Sequence, residues 1–321
     1  MLDIDKNRLL LNLFQEDINE NHKNTYISQL ALITIKSLLP SSKLAGNIID
    51  YRRFNKELKL WKYYKLGQAG PLEEMLEELN VENYFARRDK TIICRIIPIV
   101  LANRDSQLIE EEIIKNILNT SGNIRDLLEG LLVGKFINGL INKSQIEEGL
   151  KDFLINFGQA DYLDKFKDLY RLSIENYPGN YSISFEKERV SLLSILNGVD
   201  LDKYNQISDL LGLLKGKKPT SFLGKIVFNT MEGHEITYSL DQFYLDMNNY
   251  LFRLRKSRID PKRLVIKDYI LPDVFSFEEN QVFFHSLLNH CKVIKKEVRN
   301  NQLTSLIQTK TGMYTFKRDL I

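Results

Sequence analysis

Apolar residues recur at three- and four-residue intervals along most of the chain, the spacing that gathers them on one side of an α-helix. Leu127, Leu128, Leu131, Leu132, Phe136 and Ile137 form one such stripe and predict a helix from about Asn123 to Asn142. Similar stripes run over Ile27–Leu39, Tyr51–Leu66, Pro71–Leu79, Thr91–Ala102, Gln107–Leu118, Ile146–Phe157, Tyr162–Ile174, Arg189–Leu196, Leu201–Leu214 and Leu240–Leu254. Each stripe needs a neighbour to cover it, so the pattern predicts an all-α bundle. The breaks carry stop and start chemistry: Asn119-Thr120-Ser121-Gly122 ends one helix and begins the next, and Pro40-Ser41-Ser42 and Asn197-Gly198 interrupt others. The turn-rich stretch Asn176–Ser184 divides the chain into a region 1–175 and a region 185–321, expected to pack together as one domain. Near the end the period falls to two. Leu306-Ile307-Gln308-Thr309 and Met313-Tyr314-Thr315-Phe316 alternate around Lys310-Thr311-Gly312, which predicts one small C-terminal β-hairpin.

With 321 residues the chain can bury a core without disulfides. Cys94 and Cys291 both fall in patterns read as helical and are expected to be free core thiols in a reducing cytosol. The first residues lack a basic-then-apolar leader, and no stretch is apolar for long enough to span a bilayer. The expectation is a cytoplasmic protein without a membrane partner. The net charge of +3 is too small to imply nucleic acid, but it is unevenly spread: residues 253–321 hold 14 Lys and Arg against 7 Asp and Glu. Its densest part contains Arg253, Arg255, Lys256, Arg258, Lys262 and Arg263. Such a cluster suits phosphates or an acidic protein partner, although cations in the last turn of a helix ending near Ser257 also oppose the helix dipole.

One resemblance runs through the first half. Thr25-Tyr26-Ile27-Ser28-Gln29-Leu30-Ala31-Leu32 is similar to the Thr-Asp-Asp-Thr-Gln-Leu-Ala-Leu helix start of ADP-ribosylglycohydrolases. Asp50-Tyr51-Arg52-Arg53-Phe54 through Leu60-Trp61-Lys62 resembles that family's helix ending in tryptophan. Gly67-Gln68-Ala69-Gly70-Pro71 resembles its glycine-rich connection, and Cys94-Arg95-Ile96-Ile97-Pro98-Ile99 its Met-Arg-Ile-Ala-Pro-Leu helix. Thr120-Ser121 falls where the family places Thr-His. The resemblance covers about Thr25 to Asn142. It implies an orthogonal multi-helix bundle with Pro98 inside or at the start of a helix, while the helical stripes predict that the span is helical apart from connections, with Ile27, Leu30, Ala31, Leu60, Trp61, Ile96, Pro98, Leu128 and Leu132 largely buried.

The enzymes of that family hold two divalent cations, usually magnesium, with carboxylates from the Asp-Asp pair, an early Gly-Asp and a late Asp-x-Asp-Thr. Magnesium needs hard oxygen ligands in near-octahedral array, and two cations together orient a ribose and activate water. Here Tyr26 and Ile27 replace the aspartate pair. No Gly-Asp precedes Thr25, no Asp-x-Asp-Thr follows Asn142, and Lys90-Thr91 stands in place of Asn-Gly. The resemblance therefore implies the fold without the reaction: no catalytic residues, no metal and no cofactor. It implies a former cleft around Thr25, Tyr26, Ser28, Thr91, Arg95, Thr120 and Ser121 that binds ADP-ribose, an ADP-ribosylated protein or another protein. Two alternatives stay open. Asp241 and Asp246 near Gln242 rebuild a magnesium site and hydrolysis survives, or the basic C-terminal region is the working part and the helical body a scaffold.

Other constellations read as ordinary. His285 and His290 are five residues apart, on well-separated faces of an expected amphipathic helix with only Cys291 near enough to share a site with one of them, which is poor metal spacing and reads as solvated histidine. His22 and His234 have no serine or carboxylate at a suggestive interval. The acidic runs Glu73-Glu74, Glu77-Glu78 and Glu110-Glu111-Glu112 read as solvent faces and first turns of helices. Gly212 and Gly216 lack the further spacing of a phosphate loop.

Overall fold

The computed structural model describes residues 4–41, 43–199, 201–233 and 240–320. His234 lies outside these described residues. The chain starts with helix α1 (Lys6–Asn21), capped by the Asp5 side chain, which accepts from the Asn7 amide. Next come α2 (Tyr26–Ser37), a two-stranded antiparallel ribbon of β1 (Leu38–Pro40) and β2 (Asn47–Ile49), α3 (Tyr51–Trp61) and α4 (Pro71–Glu77). A π-turn at Glu82–Ala86 leads into α5 (Ile92–Ala102), α6 (Ser106–Leu118) and α7 (Ile124–Asn142).

Helix α5 is the axis of this half. All eleven of its residues are buried, and α1, α2, α6, α7 and α13 (Gln242–Arg255) pack against it. A helix apolar on every side, IICRIIPIVLA, satisfies its surface only at the centre of a bundle. Pro98 sits inside it, and apolar neighbours on every side hold the turn that its missing amide weakens. Ile27, Leu30, Ala31, Trp61, Ile96, Pro98, Leu128 and Leu132 are buried, while Leu60 is only half-buried. Trp61 is fully enclosed and donates from Nε1 to Gln29 Oε1 at 2.9 Å.

Helices α8 (Ile146–Asn156), α9 (Gln159–Phe166), α10 (Tyr181–Leu196), α11 (Asn205–Leu214) and α12 (Phe222–Met231) follow. Helix α12 returns to pack on α1, and one connected core runs from Ile4 to Phe316; the break expected over residues 176–184 ends at Asn180, which caps α10, and does not part the core. Helices α1 and α12 escape the periodic reading. In α1 the reason is visible: Asn12, Gln15, Glu16 and Asp17 are buried beside its leucines, so polar residues interrupt the apolar stripe. No helix among the described residues is long and apolar enough to cross a membrane.

The C-terminal end corrects the sequence reading in two respects. The expected hairpin exists as β5 (Gln302–Thr309) and β6 (Gly312–Asp319), with Leu306 opposite Thr315, but it belongs to a four-stranded antiparallel sheet in the order β3-β4-β5-β6. The segment expected as a helix through His285–Cys291 is instead the turn joining β3 (Val282–His285) to β4 (Asn289–Arg299). Val282 and Phe284 face out while Phe283 and His285 face in, a period of two, and Asn289 takes the left-handed φ of 65° that closes the turn. Cys291 is therefore a buried strand residue. The sheet docks on the end of α3: Lys317 donates its amide to the Tyr63 carbonyl, and Tyr314 and Phe316 meet the Tyr64 ring edge-on at 5.1 and 5.4 Å.

His285 points into this sheet's buried face, 2% exposed, and accepts at Nδ1 from the Leu287 amide. Burial holds its pKa down at about 4. A depressed folded value means that the unfolded chain binds the proton first, so stability falls as pH drops from about 6.5 toward 4, with a slope of at most about 1.4 kcal/mol per pH unit from this group. His285→Phe is expected to flatten that part of a urea-midpoint against pH profile; an unchanged profile would remove His285 as its source.

Candidate functional site

Three buried aspartates organise the residues that the sequence singled out. Asp17, at the start of the fourth turn of α1, is fully enclosed and faces the N-terminus of α2. Its Oδ2 accepts from the Thr25 amide (2.7 Å), the Ser28 amide (3.1 Å) and Ser28 Oγ (2.6 Å), and its Oδ1 from Thr25 Oγ1 (2.7 Å). A carboxylate there meets the free amides and the positive end of the helix dipole. Thr25 and Ser28 are thus turned inward onto Asp17 and buried.

Asp89 lies in the loop just before α5. Its Oδ1 accepts from the amide and hydroxyl of Thr91, at 2.9 and 2.5 Å, and its Oδ2 pairs with Arg95 Nη2 at 2.7 Å. Arg95, wholly enclosed, also donates from Nη1 to Thr120 Oγ1 at 2.8 Å, and that hydroxyl lies 3.3 Å from Asp89 Oδ2. Asp126, in the first turn of α7, completes the group. It accepts from the Asp89 amide and from Ser121 Oγ, both at 2.7 Å, and from Arg88 Nε at 3.1 Å. Arg88 also bonds Glu129 and the Lys203 carbonyl. Burial pushes the carboxyls of Asp126 and Glu129 above their ordinary range and outweighs the opposing pull of Arg88. Burial also pulls on Arg88, but there the facing Glu129 and Asp126 prevail and its pKa ends above the usual value.

Tyr26 joins the two halves. Its phenol is raised by burial first, then by interaction with Cys94 and with the carboxylates of Asp17, Glu20 and Asp89. The same surroundings push the Cys94 thiol up to about 12, burial first and Asp17 next, which leaves an inert thiol. Gly67 lies against the Tyr26 ring: a Cβ there would stand 3.2 Å from Cδ1, at a φ of 86° that a side chain rarely adopts. Residues from 25 to 121 in sequence thus converge. Thr25, Ser28, Thr91, Arg95, Thr120 and Ser121 are buried and bonded to internal carboxylates, and only Tyr26 is partly open.

An open cavity of about 330 Å³ adjoins this group on the side of Arg88 and Asn123. Phe85, Tyr177 and Pro178 give it an apolar wall, and Arg88, Arg125 and Lys187 give it positive charge. The Asn123 side chain donates to the Phe85 and Ala86 carbonyls and fixes that wall, while Arg125 is braced by Glu188 at 3.1 Å.

The three aspartates, Glu129 and Arg88 escape the sequence reading, because no motif or spacing marks them: Asp17 lies eight residues before Thr25 in a helix without a clean stripe. Glu112 is a correction. Read as solvent face, it is buried, and it accepts from the Ile49 amide of β2 at 3.0 Å, a partner sequence spacing cannot show. Asp241 caps α13 and Asp246 accepts from Gln242; both are exposed. Among the described residues no group of three or more His, Cys, Asp or Glu is placed to hold a metal ion. In the basic segment, Arg255 turns back to donate to the carbonyls of Val100, Leu101 and Asn103 at the end of α5. Arg253, Lys256, Arg258, Lys262 and Arg263 are exposed. The chain matches no protein-family model and no curated protein.

Proposed function

We propose that this chain is a divergent, non-catalytic protein of the ADP-ribosylglycohydrolase type, and that it binds ADP-ribose, free or attached to a protein, in the cavity beside Arg88 and Asn123. The observation that carries this reading is the set of aspartates around Tyr26. Both oxygens of Asp17 and of Asp89 already accept hydrogen bonds from the chain's own hydroxyls, amides and Arg95. A magnesium ion needs those same lone pairs and would have to displace these donors in competition with a buried guanidinium, so the donor set does not fit a magnesium pair. The convergence of Thr25, Tyr26, Ser28, Thr91, Arg95, Thr120 and Ser121 supports the family likeness, because the resemblance alone groups these distant positions. The cavity supplies what the ligand needs: rings for an adenine to stack on, and Arg125 and Lys187 for the diphosphate.

The test is calorimetric titration with ADP-ribose, together with release of ADP-ribose from modified arginine, serine and acidic-residue substrates, with magnesium varied and a chelator as control. Binding without turnover is expected, weakened at least about tenfold by the double change Arg125→Ala and Lys187→Ala, since each charge-assisted contact contributes about 1.5–3 kcal/mol. Tyr26→Asp with Ile27→Asp is not expected to restore hydrolysis, because the other carboxylates remain engaged. Chelator-sensitive turnover by the unaltered chain would overturn the proposal. The five exposed cations of residues 253–263 favour a second reading, docking of an acidic or phosphorylated partner; partner binding that weakens steeply with salt and ignores the cavity variants would select it.

A further inference from the structure

An open cavity of about 370 Å³ lies along α11, between the end of α10 and the link that leads into α12. Helix α11 closes on a Schellman turn: the Lys217 amide donates to the Gly212 carbonyl and the Gly216 amide to the Leu213 carbonyl, both at 3.0 Å. Gly216 takes the left-handed φ of 75° that this turn needs. The chain therefore doubles back, and the Lys217 side chain lies over Gly212, where a Cβ would stand 3.5 Å from Lys217 Cβ and 3.6 Å from its Cδ. Lys215, Lys217 and Lys218 thus line one cavity, all three exposed and none ion-paired among the described residues. Asp209 is the one carboxylate in the lining, and it is already engaged. It accepts from the Thr220 and Ser221 amides and from Ser221 Oγ, at 2.7 to 3.1 Å, and so caps the start of α12. Gly212 and Gly216 consequently do not form an amide cradle at a helix start. An anion here is met by ammonium groups.

We propose that this cavity binds a small non-aromatic molecule carrying two phosphoryl groups, an inorganic diphosphate or a sugar bisphosphate. Three ammonium groups face one carboxylate that amides already hold, which leaves a surplus of positive charge for more than one phosphoryl group. Local capping does not account for all three lysines. The dipole of α11 favours cations within its last turn, whereas Lys217 and Lys218 lie beyond it, and the Gly212 and Leu213 carbonyls accept from backbone amides instead. The lining also sets the rest of the ligand. No aromatic ring borders this cavity, in contrast with the Phe85 and Tyr177 wall beside Arg125, so a base has nothing to stack on. Asn205, Ser208 and Thr220 offer an amide and two hydroxyls to phosphoryl oxygens or sugar hydroxyls. The volume falls at the small end of ligand sites, which run from roughly 300 to 1,000 Å³.

The experiment is calorimetric titration of the full chain with inorganic diphosphate and with fructose 1,6-bisphosphate at low salt, with amide NMR shifts locating the bound ligand. Saturable binding is expected, with shifts centred on residues 205–221; the tighter of the two probes assigns the inorganic or the sugar form. Lys217→Ala with Lys218→Ala should weaken it at least about tenfold, the loss expected of two charge-assisted contacts. Both side chains are exposed, so the variant should keep the parent's urea midpoint. Lys262→Ala with Arg263→Ala removes the same charge from the exposed basic segment and should change affinity by no more than about twofold, as should Arg125→Ala with Lys187→Ala. Absence of saturable binding by either probe, equal weakening in the control variants, or shifts that leave residues 205–221 undisturbed would overturn the proposal.

Discussion

Arg95→Ala is expected to destabilise the protein by about 3–5 kcal/mol, the range for removing one partner of a buried ion pair. Arg95 is wholly enclosed and Asp89 nearly so, and their 2.7 Å contact lies between α5 and the loop before it. Without the guanidinium, Asp89 keeps the donors of Thr91 but loses its counter-charge, and Thr120 Oγ1 loses a donor. Arg95→Lys should recover only part of this, because an ammonium cannot hold Asp89 and Thr120 at once in the planar fork that the two distances describe. The informative comparison is with the double variant Arg95→Met with Asp89→Asn. Removing both charges takes away the desolvation cost along with the attraction, so the double variant should be markedly more stable than Arg95→Ala. The measurement is the urea midpoint at constant m. A single variant within about 1 kcal/mol of the parent, the level of an exposed ion pair, would mean that the pair does not hold the bundle together.

That pair also shows how far the sequence can be read. Helix positions from Thr25 to Asn142 are legible because a covered helix leaves an apolar stripe, or in α5 an almost unbroken apolar run. Arg95 and Thr120 stand out in the sequence only through the family resemblance, as lining of a cleft; in the structure they bond each other and Asp89, an aspartate that no spacing rule marks. Asp17 and Asp126 fall on helices whose buried faces are partly polar, so periodicity gives no reason to place them inside. The same limit explains Glu112, whose partner is a backbone amide of β2 more than sixty residues earlier. At the C-terminus the miss has another cause. Short strands joined by a tight turn, such as Val282–His285 and Asn289–Arg299, offer too few alternations to outweigh a chance helical match around His285-Ser286-Leu287-Leu288.

Asp17→Ala should cost about 3–4 kcal/mol, because the buried Thr25 and Ser28 amides each lose their acceptor at roughly 1–3 kcal/mol. The hydroxyls suffer less. Ser28 Oγ still accepts from Asn24 Nδ2 at 2.8 Å, and both hydroxyls can turn to other acceptors. The amides cannot turn, since they are the opening N–H groups of α2 and point along its axis. Asp17→Asn separates charge from shape. It keeps one acceptor oxygen but sets an amide NH₂ against donors, and it removes the negative charge that complements the helix dipole, so it should fall between parent and alanine variant. Because the loss is concentrated in the first turn of α2, hydrogen exchange should quicken at residues 25–28 well before the rest of the helix responds. The first turn also sets Tyr26, whose ring Gly67 covers, so the same variants should loosen the group around Tyr26 without touching the cavity at Arg125 and Lys187. ADP-ribose affinity is then expected to change less than about threefold while stability drops. Loss of both in step would place the ligand against Tyr26 instead, and unchanged exchange at residues 25–28 would show that Asp17 does not hold the start of α2.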